Sequence, residues 1–188
     1  MSGEEQLKEV YRRIIDAISR GDADGLDELV APDIVDHNPI PDQAPGRDGF
    51  KQWMAAARTA FPDMCGTVED VIAEADRVAA RTTWHGTHRG EFVGVRPTGK
   101  RVSISAFHLV RFSGGRAVEW WGTADLLGAL QQLGATAHKS GLASPGPERP
   151  QESHLKRDRV PARVRAITSE VGGTWRCANQ MKAPPLRL

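Results

Sequence analysis

Residues 107–125 read as two β-strands joined by a tight Gly114-Gly115 turn, and this hairpin limits the fold more than any other stretch. His108, Glu119 and Asp125 interrupt its otherwise strand-like apolar runs. Ionisable groups on a face expected to be buried must offset their desolvation, so they are candidates for chemistry.

Upstream the period is helical. Leu7, Val10, Tyr11, Ile14, Ile15 and Ile18 share one helix face over residues 4–20, and Gly21 is placed to end that helix. Asp24 is placed to cap a second, short helix carrying Leu26, Leu29 and Val30. The loop Asp36-His37-Asn38-Pro39-Ile40-Pro41 follows. Asp48 is placed to cap a third helix with Phe50, Trp53, Met54, Ala57 and Phe61, ended by Pro62. The remainder alternates as strands, with Arg96-Pro97-Thr98-Gly99-Lys100 as turn chemistry, and residues 126–133 form a last short helix. Helices grouped before strands predict an α+β domain with helices packed on one sheet face.

The 188 residues carry a net charge of +1, which hides an asymmetry. Residues 1–138 hold 15 Lys and Arg against 20 Asp and Glu, whereas residues 139–188 hold 10 against 4. The reading is one domain over 1–138 and a basic, Pro-rich tail over 139–188 that is expected to be disordered. Only Cys65 and Cys177 occur, so neither a disulfide framework nor a cysteine-based metal site is expected. No apolar run approaches the ~20 residues that span a bilayer, and the acidic start is unlike a secretory signal. The expectation is a cytoplasmic protein without membrane contact, and no nucleic-acid motif marks the domain.

A two-residue turn sets Ser113 opposite Arg116, His108 opposite Trp121 and Ile104 opposite Asp125. One face then carries Ile104, His108, Glu119, Trp121 and Asp125, mixing apolar and acid/base groups as a pocket wall does. A bulge would displace these partners by one. His108 and Asp125 stand ~13 Å apart along the strand direction on this register, at opposite ends of one small ligand. Asp125 can be a proton-transfer carboxylate or the cap of the last helix. His37 can be an exposed loop residue or part of a cover over the pocket mouth. Trp53 and Trp84 suit a core, or a cavity for a flat aromatic ligand. His85 and His88, three apart on a strand, point to opposite faces and make no metal site. The chain has no phosphate-binding glycine loop, Gly-x-Ser-x-Gly elbow, paired-cysteine motif or His-Glu-x-x-His. Cofactor-free acid/base chemistry and simple ligand binding both remain.

Several segments carry a resemblance. They are Asp36-His37-Asn38-Pro39, Gly46-Arg47-Asp48-Gly49-Phe50-Lys51-Gln52-Trp53, Ala60-Phe61-Pro62-Asp63-Met64, Asp76-Arg77-Val78-Ala79-Ala80-Arg81, Gly86-Thr87-His88-Arg89-Gly90-Glu91-Phe92 and Pro97-Thr98-Gly99-Lys100. Gly114-Gly115-Arg116-Ala117-Val118-Glu119-Trp120-Trp121 and Asp125-Leu126-Leu127-Gly128 complete the set. Over about residues 4–135 the chain resembles the SnoaL-type polyketide (ester) cyclases of the nuclear transport factor two-like superfamily. The resemblance implies a cone-shaped curved antiparallel sheet, closed by the helices around a cavity, and a homodimer. It implies aldol-type ring closure of a polyketide ester without metal or cofactor. It places Asp125 as the acid/base, with His108 and, on a weaker match, His37 as further catalytic candidates; the hairpin face and the tryptophans themselves add Trp121, Trp53, Trp84, Ile104 and Glu119 around the substrate. Many relatives carry His before Trp, or Asp after it, where this chain has Glu119-Trp120-Trp121-Gly122. A non-catalytic binding module of the same fold, or a related isomerase, dehydratase or hydrolase, is the alternative.

Overall fold

The helical stripe of the N-terminal segment folds as α1 (Gly3–Arg20), and Tyr11, Ile14, Ile15 and Ile18 are all buried against the sheet. The computed structural model describes residues 3–135. The tail expected over residues 139–188, and Cys177 within it, lie outside the described residues. α2 (Ala23–Leu29) is capped by Asp22 rather than Asp24, through Gly25 N–H donating to Asp22 Oδ1 at 2.8 Å. α3 (Gly46–Ala60) starts after Pro45, two residues before the Asp48 cap that the sequence suggested.

Val30 does not extend α2. It opens β1 (Val30–Asp36), which pairs in parallel with β5 (Arg116–Ala124) at the edge of a five-stranded sheet. Pro32 fits there because one side of an edge strand needs no ladder donor. β2 (Cys65–Glu74), β3 (Arg77–Thr87) and β4 (Arg101–Ser113) complete the order β1-β5-β4-β3-β2, with antiparallel pairing from β2 through β5. α4 (Leu126–Leu133) ends at Gly134, whose φ of 84° is the left-handed cap conformation glycine favours. The α+β class is as expected, with a curved open sheet and the helical side holding the core. No helix among the described residues is long and apolar enough to cross a membrane.

The hairpin departs from its expected register. Gly114 and Gly115, with φ of 56° and 78°, make the two-residue turn, and Ser113 does pair with Arg116. Phe112 then pairs with Ala117, but Arg111 pairs with Glu119, so Val118 is an extra residue in β5. Beyond this bulge every partner moves by one: His108 faces Gly122, Val110 faces Trp120 and Leu109 faces Trp121. Ala117 and Trp120, three apart, are therefore both buried. The expected placement of Trp121 and Glu119 beside His108 is corrected by this bulge. Both lie on the other face of the sheet, with Leu109 and Arg111.

Candidate functional site

On the helical side of the sheet lies a cavity of about 210 Å³. Phe50 and Trp53 of α3 form one wall, and Trp84, Ala106, His108, Trp120 and Gly122 of the sheet form another. The rings brace one another: Trp53 meets Trp84 edge-on at 6.3 Å, and Phe50 meets Trp120 at 5.1 Å and 71°. Asp36, Asn38, Ile40 and Gln43 close the mouth.

The closing loop is tied by named bonds. Asp36 accepts from Asn38 N–H at 3.0 Å and from Gln43 Nε2–H at 3.0 Å. Asn38 Oδ1 accepts from Gly122 N–H at 3.2 Å, and His37 N–H donates to Trp120 O at 2.9 Å. Asp36 is the carboxylate that lines the cavity. Each of its oxygens has one donor in the loop, which leaves lone pairs for a ligand.

His108 sits opposite the helices. Its Nδ1 is 2.7 Å from Tyr11 Oη, and Tyr11 Oη is 2.8 Å from Thr82 Oγ1. Burial lowers the His108 pKa from 6.5 to about 4, so the ring is neutral at pH 7. Burial also raises that of the Tyr11 phenol, which stays protonated. The unfolded chain protonates His108 as pH falls through 6.5, and the folded chain only near 4. Between these values the unfolded state binds more protons, so stability present above pH 6.5 is lost on acidification, by roughly 3 kcal/mol in all. Urea midpoints at pH 7 and pH 4.5 should show this loss, and His108→Gln should flatten it.

The remaining candidates are spread out. Trp53 and Trp84 line the cavity. Ile104, paired with Trp84, lies on the cavity-side face but packs against the core instead of lining the space. His37 points away from the cavity: its ring stacks on Trp121 at 4.1 Å, and its Nε2 is 3.0 Å from Glu119 Oε2. Arg111 Nε–H donates to Glu119 Oε1 at 2.7 Å, and this bond first, then His37, holds the Glu119 carboxyl below its usual pKa. These residues latch the closing loop to β5 from outside. Asp125 is exposed and caps α4, its Oδ1 accepting from Gly128 N–H at 2.8 Å. Its neighbours Ala124 and Leu126 line the cavity, and Asp125 stands at the rim between them.

Sequence reasoning did not single out Tyr11, Thr82, Asp36 or Gln43. One signal was available. Tyr11 is the only tyrosine of the chain and interrupts a stripe of isoleucines and valine, so a buried hydroxyl needing a partner was foreseeable.

The model of the SnoaL-like polyketide cyclases matches residues 8–133. The chain belongs to this family. A family relative, the aklanonic acid methyl ester cyclase AcmA of Streptomyces galilaeus, is 30% identical over 132 residues, covering 69% of this chain and 91% of that protein. Among SnoaL-like structures, IdmH of Streptomyces antibioticus, described as a putative polyketide cyclase, superposes with a TM-score of 0.62 at 36% identity, covering 69% and 99% of the two chains. TsrD of Streptomyces laurentii gives a TM-score of 0.67 at 25% identity, covering 72% and 100%.

Proposed function

We propose that this protein closes a ring in an aromatic polyketide ester by an intramolecular aldol-type step, with Asp36 as the acid/base. An aromatic-walled cavity holding one carboxylate and one neutral imidazole is the observation that carries this reading. The Asp36 carboxylate takes a proton from a carbon flanked by two carbonyls. The resulting enolate carbon attacks a second carbonyl and forms the new C–C bond. The alkoxide left on the attacked carbon recovers the proton from Asp36. Such a carbon acid is already activated, so one positioned carboxylate suffices. The step is redox-neutral and calls for neither metal nor redox cofactor. The rings of Phe50, Trp53, Trp84 and Trp120 would fold the chain of the substrate toward its reactive shape. Asp125 is the competing carboxylate, and turnover of a polyketide methyl ester by Asp36→Asn and Asp125→Asn decides between them. A chain that binds aromatic esters without turnover would be a binding module instead.

The same reading includes self-association. The sheet face away from the cavity carries a groove of about 570 Å³ lined by Val71, Ile72, Phe107, Leu109 and Trp121, with Ile72 70% and Phe107 57% exposed. An apolar face of this kind on a monomer calls for a cover, and a second copy brings the same apolar groups. Sedimentation of the full chain should give a dimer, and Phe107→Glu should shift it toward monomer. A wild-type monomer at tens of micromolar would end this part of the proposal.

A further inference from the structure

The proton count around His108 is restrictive. Thr82 is fully buried, and among the described residues Tyr11 Oη is the one hydrogen-bond partner of its hydroxyl. Tyr11 is equally buried, and among the described residues its hydroxyl bonds only Thr82 and His108 Nδ1. The two bonds can draw on three protons, those of the two hydroxyls and of His108 Nδ1, and both buried hydroxyl protons need an acceptor. If Tyr11 donated to Thr82, the Thr82 proton would be left buried with no acceptor. The arrangement that satisfies every group is Thr82 donating to Tyr11 and Tyr11 donating to His108 Nδ1. The proton of the neutral imidazole then sits on Nε2.

That second nitrogen has no protein partner among the described residues, and it is not sealed within the core. The same holds for the indole N–H of Trp120. Gly122 brings the two together. A Cβ built on Gly122 would lie 3.0 Å from Trp120 Nε1 and 3.3 Å from His108 Cδ2, the carbon bonded to Nε2. The space kept clear by this glycine is flanked by both rings and opens on the cavity that His108, Trp120 and Gly122 all line. Stacking of Trp120 on Tyr11 at 6.0 Å and 18°, and its edge contact with Phe50, fix the indole in place.

We infer that His108 Nε2–H and Trp120 Nε1–H form a donor pair beside Gly122 that binds a developing enolate oxygen, with Tyr11 and Thr82 as positioning residues that set the tautomer. The pair is neutral and already desolvated, as preorganised oxyanion donors are. A His108 held in this form is an electrophile and not the base, which leaves proton abstraction to a carboxylate. The low basicity imposed on His108 by burial agrees with this assignment. The catalytic use of the pair rests on the cyclase reading, whereas its ability to hold an oxyanion does not.

Two measurements on the full chain test it. With 15N-labelled histidine, long-range nitrogen–proton correlation at pH 7 should show His108 as the Nε2–H tautomer, and Tyr11→Phe should lose this single form. A wild-type Nδ1–H tautomer overturns the proposal. The second probe is 4-nitrophenol, whose phenolate mimics an enolate oxygen. It should bind with its ionisation shifted to lower pH, with a shift of the Trp120 indole proton. Trp120→Phe and Gly122→Ala should each weaken phenolate binding about tenfold, the size of one lost charge-assisted hydrogen bond. Unchanged affinity in both variants, or no phenolate binding by wild type, overturns it. Phenolate binding without any ring closure would sink the cyclase reading and leave the donor pair standing.

Discussion

Asp36→Asn should lower the rate of ring closure by roughly 10²- to 10⁴-fold, the usual worth of a positioned proton acceptor. The loss should fall on kcat, because the aromatic walls that hold the substrate are untouched. Asparagine is close in shape but offers one acceptor oxygen where two donors, Asn38 N–H and Gln43 Nε2–H, now point. One loop bond is therefore lost as well, at about 1 kcal/mol of stability. Circular dichroism and a urea midpoint separate that small structural effect from the catalytic one. Asp125→Asn keeps an oxygen able to accept from Gly128 N–H, so its activity should stay within a few-fold of wild type and α4 should keep its cap. The opposite pattern, an active Asp36→Asn beside a dead Asp125→Asn, would move the base to the rim and make Asp36 a tether of the loop.

Gly49→Ala should destabilise the fold by about 3 kcal/mol, among the larger effects of one methyl group. The added Cβ would fall 1.7 Å from Ala44 O and 2.8 Å from Ala44 C. These are backbone atoms, so no side chain can swing aside to relieve the clash. Relief requires the 40–45 loop to lift off α3, breaking the bond from Ala44 N–H to Gln52 Oε1 at 3.0 Å. The same loop carries Ile40 and Gln43 to the cavity mouth, so ring closure should weaken along with stability. Gly3→Ala is the control, since nothing lies within 4 Å of its added carbon. A Gly49→Ala protein with wild-type urea midpoint and activity would show that the loop does not rest on α3 as described.

What could be read from the chain was local. The isoleucine stripe of α1, the Gly21 that ends it and the Gly114-Gly115 turn follow from periodicity and backbone preference, and each stands where expected. β1 was hidden because Val30 continues a helical pattern, Pro32 reads as a breaker, and its partner β5 lies more than eighty residues on. The bulge at Val118 was hidden because a turn sets strand register only up to the first irregularity, and neither Val118 nor Glu119 announces one. Trp53, Trp84 and His108 could be marked as cavity residues by type. Asp36 looked like a turn former, and it does accept the Asn38 N–H as turn aspartates do. Its second position, facing the cavity, depends on β1 pairing with β5. The Tyr11, Thr82 and His108 chain joins three elements, so it exists only after the sheet closes.

The extra residue at Val118 makes Trp120 and Trp121 near-equivalent side chains assigned to opposite duties. If Val118 instead took Arg111 as its partner, β5 would pair in step with β4 from the turn onward, and the two indoles would exchange compartments. Glu119 would turn inward with Trp121, and the residue between them would take the place of the latch. Deletion of Val118 would leave Arg111 opposite Glu119 and both indoles where they are, so at the present strand length it is the bulge that sends Trp120 to the cavity and Trp121 to the far face. Among relatives, aligned letters on this strand name the same compartment only when the bulge is shared.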